Sequence, residues 1–108
     1  MLTKVVNTLF FLFSFFLFTC APKTQVLDIY NNGKTKLIRE YKVTKNGVRS
    51  DSVTTKFLKY HRNGMRFYVQ DILEGEPNGN YRSWLQSGKN YAKGNYINGQ
   101  LSGKWTWY

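Results

Sequence analysis

The stretch Asn80-Tyr81-Arg82-Ser83-Trp84-Leu85-Gln86-Ser87-Gly88-Lys89-Asn90-Tyr91-Ala92-Lys93-Gly94-Asn95-Tyr96-Ile97-Asn98-Gly99-Gln100-Leu101-Ser102-Gly103-Lys104-Trp105-Thr106-Trp107-Tyr108 repeats the stretch Phe57 to Trp84 at one fixed shift. Gly64 falls on Gly88, Gly75 on Gly99 and Gly79 on Gly103. Phe57, Tyr81 and Trp105 share one column, Tyr60, Trp84 and Tyr108 a second, and Phe67 and Tyr91 a third. A fixed period of this length marks a repeat array. Each unit is two short aromatic runs parted by Ser87-Gly88 and closed by Asn98-Gly99. Asn-Gly suits a two-residue hairpin loop because both residues accept a positive φ. Aromatics suit a pleated, half-buried surface, where each cross-strand pair adds about 0.2–1 kcal/mol. Gly79 and Gly103 are expected at tight turns into the next strand.

These residues carry a resemblance. Tyr60-His61-Arg62-Asn63-Gly64, Glu74-Gly75-Glu76-Pro77-Asn78-Gly79-Asn80-Tyr81, Trp84 to Gly88 and Gly94 to Trp105 together resemble the MORN repeat. Its bacterial form is commonly labelled a YwqK-like antitoxin. The match covers residues 57–108, with repeats at 57–79 and 80–103 and a partial one at 104–108. Gln70-Asp71-Ile72-Leu73 departs from it, standing where the family has a Gly-x-Tyr step. The resemblance implies an all-β antiparallel β-meander of stacked hairpins. It is specific for fold and poor for function, because such repeats serve many unrelated roles.

Residues 26–56 carry more β-signals without that spacing. In Lys36 to Lys45, Leu37, Tyr41 and Val43 share one parity, and Lys36, Glu40, Lys42 and Thr44 the other. That alternation predicts a strand with one buried face, interrupted at Ile38 and Arg39. Asn-Gly recurs at 32–33, 46–47, 63–64, 78–79 and 98–99, as successive hairpins require. No linker divides residues 26–108, so one β-repeat domain is expected there. A chain that small buries little surface as a sphere, and layering aromatics along a sheet is the alternative.

The start of the chain has a different character. Met1 to Lys4 carries one positive charge, and Val5 to Phe18 is apolar but for Asn7, Thr8 and Ser14. This predicts a helical signal segment over residues 1–19. Cys20 follows, as in a bacterial lipobox with Leu17 at its −3 position. Cys20 is then the lipidated residue and the mature N-terminus, with residues 20–25 as tether. Phe18 and Thr19 are bulkier than the residues usual there, so a plain signal or an uncleaved anchor stays open. The apolar run is about 15 residues, against the ~20 of a membrane-spanning helix. Cys20 is the only cysteine, which excludes an intramolecular disulfide and a cysteine-rich zinc site. The localisation expected is a bacterial cell envelope, with the membrane reached through the N-terminal lipid.

The formal charge of +10 falls by one, to +9, when residues 1–19 are removed with Lys4. Such a charge favours anionic partners such as lipid headgroups. The basic residues are scattered through 23–104 without a block, which serves solubility equally well. Nucleic acid suits interleaved aromatics and cations in general, but an exported protein rarely meets it. Catalysis finds little support. His61 is the only histidine and stands by the Asn63-Gly64 turn, and Glu74 and Glu76 flank Gly75 as turn residues do. No metal-loop spacing, phosphate loop or cofactor motif is present.

The sequence therefore favours a non-catalytic, lipid-anchored scaffold that binds an unidentified protein. Its candidate edge is the last strand, Trp105, Trp107 and Tyr108, available for strand addition. The resemblance offers an antitoxin or immunity protein as a second expectation, and the charge offers peripheral binding to an anionic membrane as a third.

Overall fold

The computed structural model describes residues 23–108. The predicted signal segment, Cys20 and the start of the tether lie outside the described residues. Seven strands form one sheet: β1 Lys23–Ile29, β2 Thr35–Asn46, β3 Arg49–Tyr60, β4 Arg66–Leu73, β5 Glu76–Trp84, β6 Asn90–Ile97 and β7 Gln100–Trp107. Each pairs antiparallel with the next, so sheet order is chain order. This is the expected all-β meander. One boundary differs: Lys23, Thr24 and Gln25, expected as tether, open β1 opposite Tyr41, Glu40 and Arg39. Their polarity hid them, because β1 is an exposed edge whose side chains need not be apolar.

The sequence period is carried by the backbone pairing itself. Phe57 pairs with Gln70, Leu58 with Val69 and Lys59 with Tyr68. One period on, Tyr81 pairs with Gly94, Arg82 with Lys93 and Ser83 with Ala92. The next interface repeats in the same way. Val69 and Arg82 correspond to Lys93 and Thr106, and Ile72 and Pro77 to Tyr96 and Leu101. The N-terminal strands obey the same register with a different spacing. Leu37 pairs with Lys59, Ile38 with Leu58 and Arg39 with Phe57, matching Tyr68–Ser83, Val69–Arg82 and Gln70–Tyr81. The step from Gly33 to Gly64 is longer than the step from Gly64 to Gly88. The surplus lengthens the β2–β3 hairpin into a projecting arm around Asn46–Arg49, which is why the period fails there in the sequence.

The turns fall into two sets. On one side, Gly33, Gly64 and Gly88 have φ of 86°, 92° and 90° and donate to the carbonyls of Tyr30, His61 and Leu85. The asparagines before the first two keep a negative φ and act through their side chains. Asn32 Oδ1 accepts from Lys34 N, and Asn63 Oδ1 from Met65 N, both at 3.0 Å. On the other side, Glu74-Gly75 and Asn98-Gly99 have positive φ at both residues, as the two-residue loop demands. Gly79 and Gly103, expected at turns, instead lie inside β5 and β7. There they sit in bulges: the β4–β5 register jumps from Gln70–Tyr81 to Ile72–Pro77, and the β6–β7 register from Lys93–Thr106 to Asn95–Ser102. The spare residues on the longer side need a positive φ, and glycine supplies it. Asn78-Gly79 is thus a bulge signal that reads like a turn signal.

With one layer, there is little interior. Ile72, Ala92, Gln70 and Ser83 are the buried residues of the described part. Cohesion comes from a row of rings on one face. Tyr81 stands 6.0 Å from Tyr68, 5.9 Å from Tyr96 and 5.6 Å from Trp105, centroid to centroid. Trp105 meets Tyr96 edge-on at 5.2 Å and stacks on Trp107 at 5.7 Å. Such pairs add about 0.5–1.5 kcal/mol each beyond the area they bury. The turns on the Gly33 side are laced together as well. Tyr30 Oη donates to Tyr60 O at 2.8 Å, and Asn32 Nδ2 to Arg62 O at 3.0 Å. One unit on, His61 Nε2 bonds Trp84 O at 2.8 Å and Asn63 Nδ2 donates to Gln86 O at 2.9 Å.

Candidate functional site

The residues singled out in the sequence separate into a framework and an edge. Gly64, Gly75, Gly88 and Gly99 shape turns, and Gly79 and Gly103 shape bulges. Tyr60 and Trp84 offer their carbonyls to the turn of the preceding unit. The Trp84 ring also carries the guanidinium of Arg66 at 5.1 Å. Tyr81 is the centre of the aromatic row. Its neighbour Tyr68 has its hydroxyl held above the ordinary tyrosine pKa by burial and then by the charge Tyr81 would carry. These side chains hold the sheet together.

Trp105, Trp107 and Tyr108 are three neighbours with different exposures. Trp105 is half-buried: its ring lies over the backbone of Gly94, and its Nε1–H donates to Asn95 O at 3.1 Å. Trp107 is 63% and Tyr108 60% exposed, and Leu101 on the same strand is 60% exposed. Tyr91 adds a fourth ring, edge-on to Trp107 at 6.0 Å. Among the described residues β7 is the last strand of the sheet, and no neighbouring strand pairs one row of its backbone groups there. β1, the opposite edge, is broken by two register shifts within its short length. Bulges of that kind deter strand addition. β7 carries a bulge of its own at Gly103, and what distinguishes it from β1 is the run of exposed rings that follows that bulge.

Folding also gathers what the sequence scatters. Arg82, Lys93 and Lys104, on three successive strands, line one open groove of about 700 Å³ with Asn80, Tyr81, Gly94 and Thr106. Charge counting along the chain missed it because the three cations stand far apart in sequence and form no block, and only the register brings them together.

His61 is a turn residue, with its ring stacked on Phe67 at 4.5 Å and its Nε2 on a carbonyl. Glu74 forms the turn before β5, and Glu76 begins that strand. Among the described residues, no three His, Cys, Asp or Glu side chains are grouped to hold a metal.

Compared with known proteins, the chain matches no family model, no curated protein and no solved structure.

Proposed function

We propose that this chain is a non-catalytic, lipid-anchored envelope protein with MORN-like repeats, and that its β7 edge binds another protein. The observation that carries the binding role is the unequal treatment of the aromatic row. Tyr81 is covered by Trp105, and Trp105 by Trp107, whereas Trp107 and Tyr108 are left exposed beside an unpaired strand edge. An added strand would pair the backbone of β7 and cover those rings, with main-chain bonds giving affinity and the rings giving selectivity. The anchor is supported by the apolar run 5–18 and the single cysteine that follows it.

Two experiments test the parts separately. Metabolic labelling with a fatty acid should mark the full chain and not Cys20→Ser; equal labelling of both refutes the anchor. A photo-crosslinking residue at position 108 should give a discrete protein adduct in cells that is lost in Trp107→Ala. The same residue at position 48, on the exposed arm tip, should give none. Equal adducts from both positions would refute the edge.

A further inference from the structure

None of Trp105, Trp107 and Tyr108 lines the groove formed by Arg82, Lys93 and Lys104, and the groove does not depend on the role proposed for those rings. Arg82 stands directly opposite Lys93 across the β5–β6 pair, and Lys93 directly opposite Thr106 across β6–β7. Like charges in directly opposed positions destabilise a sheet. This fold keeps two there and adds Lys104 beside them, so three like charges line one groove.

No ion pair among the described residues involves these three side chains: the pairs there are Lys36–Asp28, Arg49–Asp51 and Lys56–Asp71. No Asp or Glu lines the groove. The neighbouring groove shows what relief looks like. It holds Lys56, Arg66 and Arg82 as well, but there Asp71 lies 3.8 Å from Lys56, and Arg66 rests on the Trp84 ring. Arg82 lines both grooves and shares the second with Asp71, whereas Lys93 and Lys104 have neither device. All three are exposed, so their charged ends are open to a ligand.

We infer that this groove is a binding site for a phosphate-bearing ligand. A guanidinium supplies two parallel N–H donors that match a pair of phosphate oxygens, and two ammonium groups add mobile charge. Thr106 and Asn80 supply neutral polar groups at the rim. The volume falls within the usual range of small-ligand sites, about 300–1,000 Å³. An anion seated there replaces mutual repulsion by attraction at all three side chains.

The test uses the full chain in non-ionic detergent, with inorganic pyrophosphate and short-chain phosphatidylglycerol as probes, each titrated by calorimetry. At least one probe should saturate. R82Q/K93Q/K104Q should weaken that binding by about tenfold or more. K42Q/K45Q/R49Q removes as much charge from the projecting arm and should stay within about twofold of the parent. Tighter pyrophosphate binding identifies a soluble phosphate, and tighter phosphatidylglycerol binding a lipid headgroup; either supports the site. The inference is overturned if neither probe saturates below roughly 10 mM, or if the arm variant loses as much as the groove variant. Should the triple variant lose its cooperative melting, K104Q alone carries the same comparison, because its removal leaves the Arg82–Lys93 pair in place.

Discussion

The N-terminal strands and the last repeat build the same backbone register and fill it in opposite ways. The position occupied by Arg39 in β2 is occupied by Gln70 in β4 and Gly94 in β6, and each faces an aromatic: Phe57, Tyr81 or Trp105. Arg39 spreads a polar network. Its guanidinium lies 4.5 Å from the Tyr41 ring and donates to Thr54 Oγ1 and Ser52 Oγ at 3.0 Å and to Gln25 Oε1 at 2.6 Å. Gln70 is buried and donates to Asp71 O at 2.8 Å and Asn80 O at 3.3 Å. Gly94 presents bare backbone, and Trp105 lies on it. From N- to C-terminus the column changes from charge to amide to nothing, as its aromatic partner grows. The backbone register is thus kept along this sheet, while the means of filling each space is local.

The greatest loss should come from disturbing the last repeat at that column. A Cβ on Gly94 would stand 2.2 Å from Trp105 Cδ2 and 2.3 Å from Cε2. The indole is rigid and its Nε1 is tied to Asn95 O, so it must leave. Gly94→Ala should cost about 3 kcal/mol, the upper range for overpacking. Gly103→Ala makes the contrast. There the added Cβ meets nothing within 4 Å, and the cost is only the φ of 65°. That strain is about 1–2 kcal/mol. Urea unfolding of both variants measures the pair; equal losses would show that Trp105 does not lean on Gly94.

A second pair of variants tests whether the column is one unit. Gln70→Gly removes two donors from carbonyls beside a bulge and leaves a gap under Tyr81, and should cost about 2 kcal/mol. Adding Tyr81→Trp recreates the Gly94–Trp105 arrangement one repeat earlier. The double variant should recover about half of the loss, a coupling that a double-mutant cycle reads directly. Strict additivity would mean that the two positions are filled independently.

How much of this was legible depended on whether a feature is periodic in sequence or only in space. Phe57, Tyr81 and Trp105 announced the column because each is aromatic and they are evenly spaced. Arg39, Gln70 and Gly94 share no chemistry, so their equivalence emerges only from the pairing. The projecting arm puts the N-terminal strands out of phase, and the first three residues of β1, Lys23 to Gln25, read as tether because edge strands tolerate polar residues. Gly79 and Gly103 read as positive-φ positions, but a bulge and a turn ask the same of glycine. The exposed Trp107 and Tyr108 were legible as a terminal strand; the basic groove was not, since register alone assembles it.

The loops separate the repeats by a smaller margin. Glu74 and Asn98 occupy the same turn position one repeat apart, with φ of 52° and 51°. Asparagine tolerates the left-handed region better than glutamate does. Glu74→Asn should therefore stabilise by about 0.5 kcal/mol, and Asn98→Glu should destabilise by about as much. Thermal midpoints moving in the same direction would show that φ is not what separates the two loops.

A last difference, negligible at neutral pH, becomes visible only in alkali, and it isolates the aromatic row of the later repeats. Burial raises the Tyr68 hydroxyl above its ordinary pKa of 10.0, and proximity to Tyr81 raises it further. A raised folded-state pKa means that the native sheet holds this proton more tightly than the unfolded chain does. The associated stability is fully present below the unfolded pKa, and it is lost as pH rises through the folded value. Tyr68→Phe removes this linkage while keeping the ring against Tyr81. Urea midpoints of the parent should therefore fall more steeply above pH 10 than those of Tyr68→Phe. Tyr81→Phe should give an intermediate slope, because it removes the charge contribution and leaves the burial. If all three slopes coincide, Tyr68 is solvated, and the row is looser around Tyr81 than its ring distances imply.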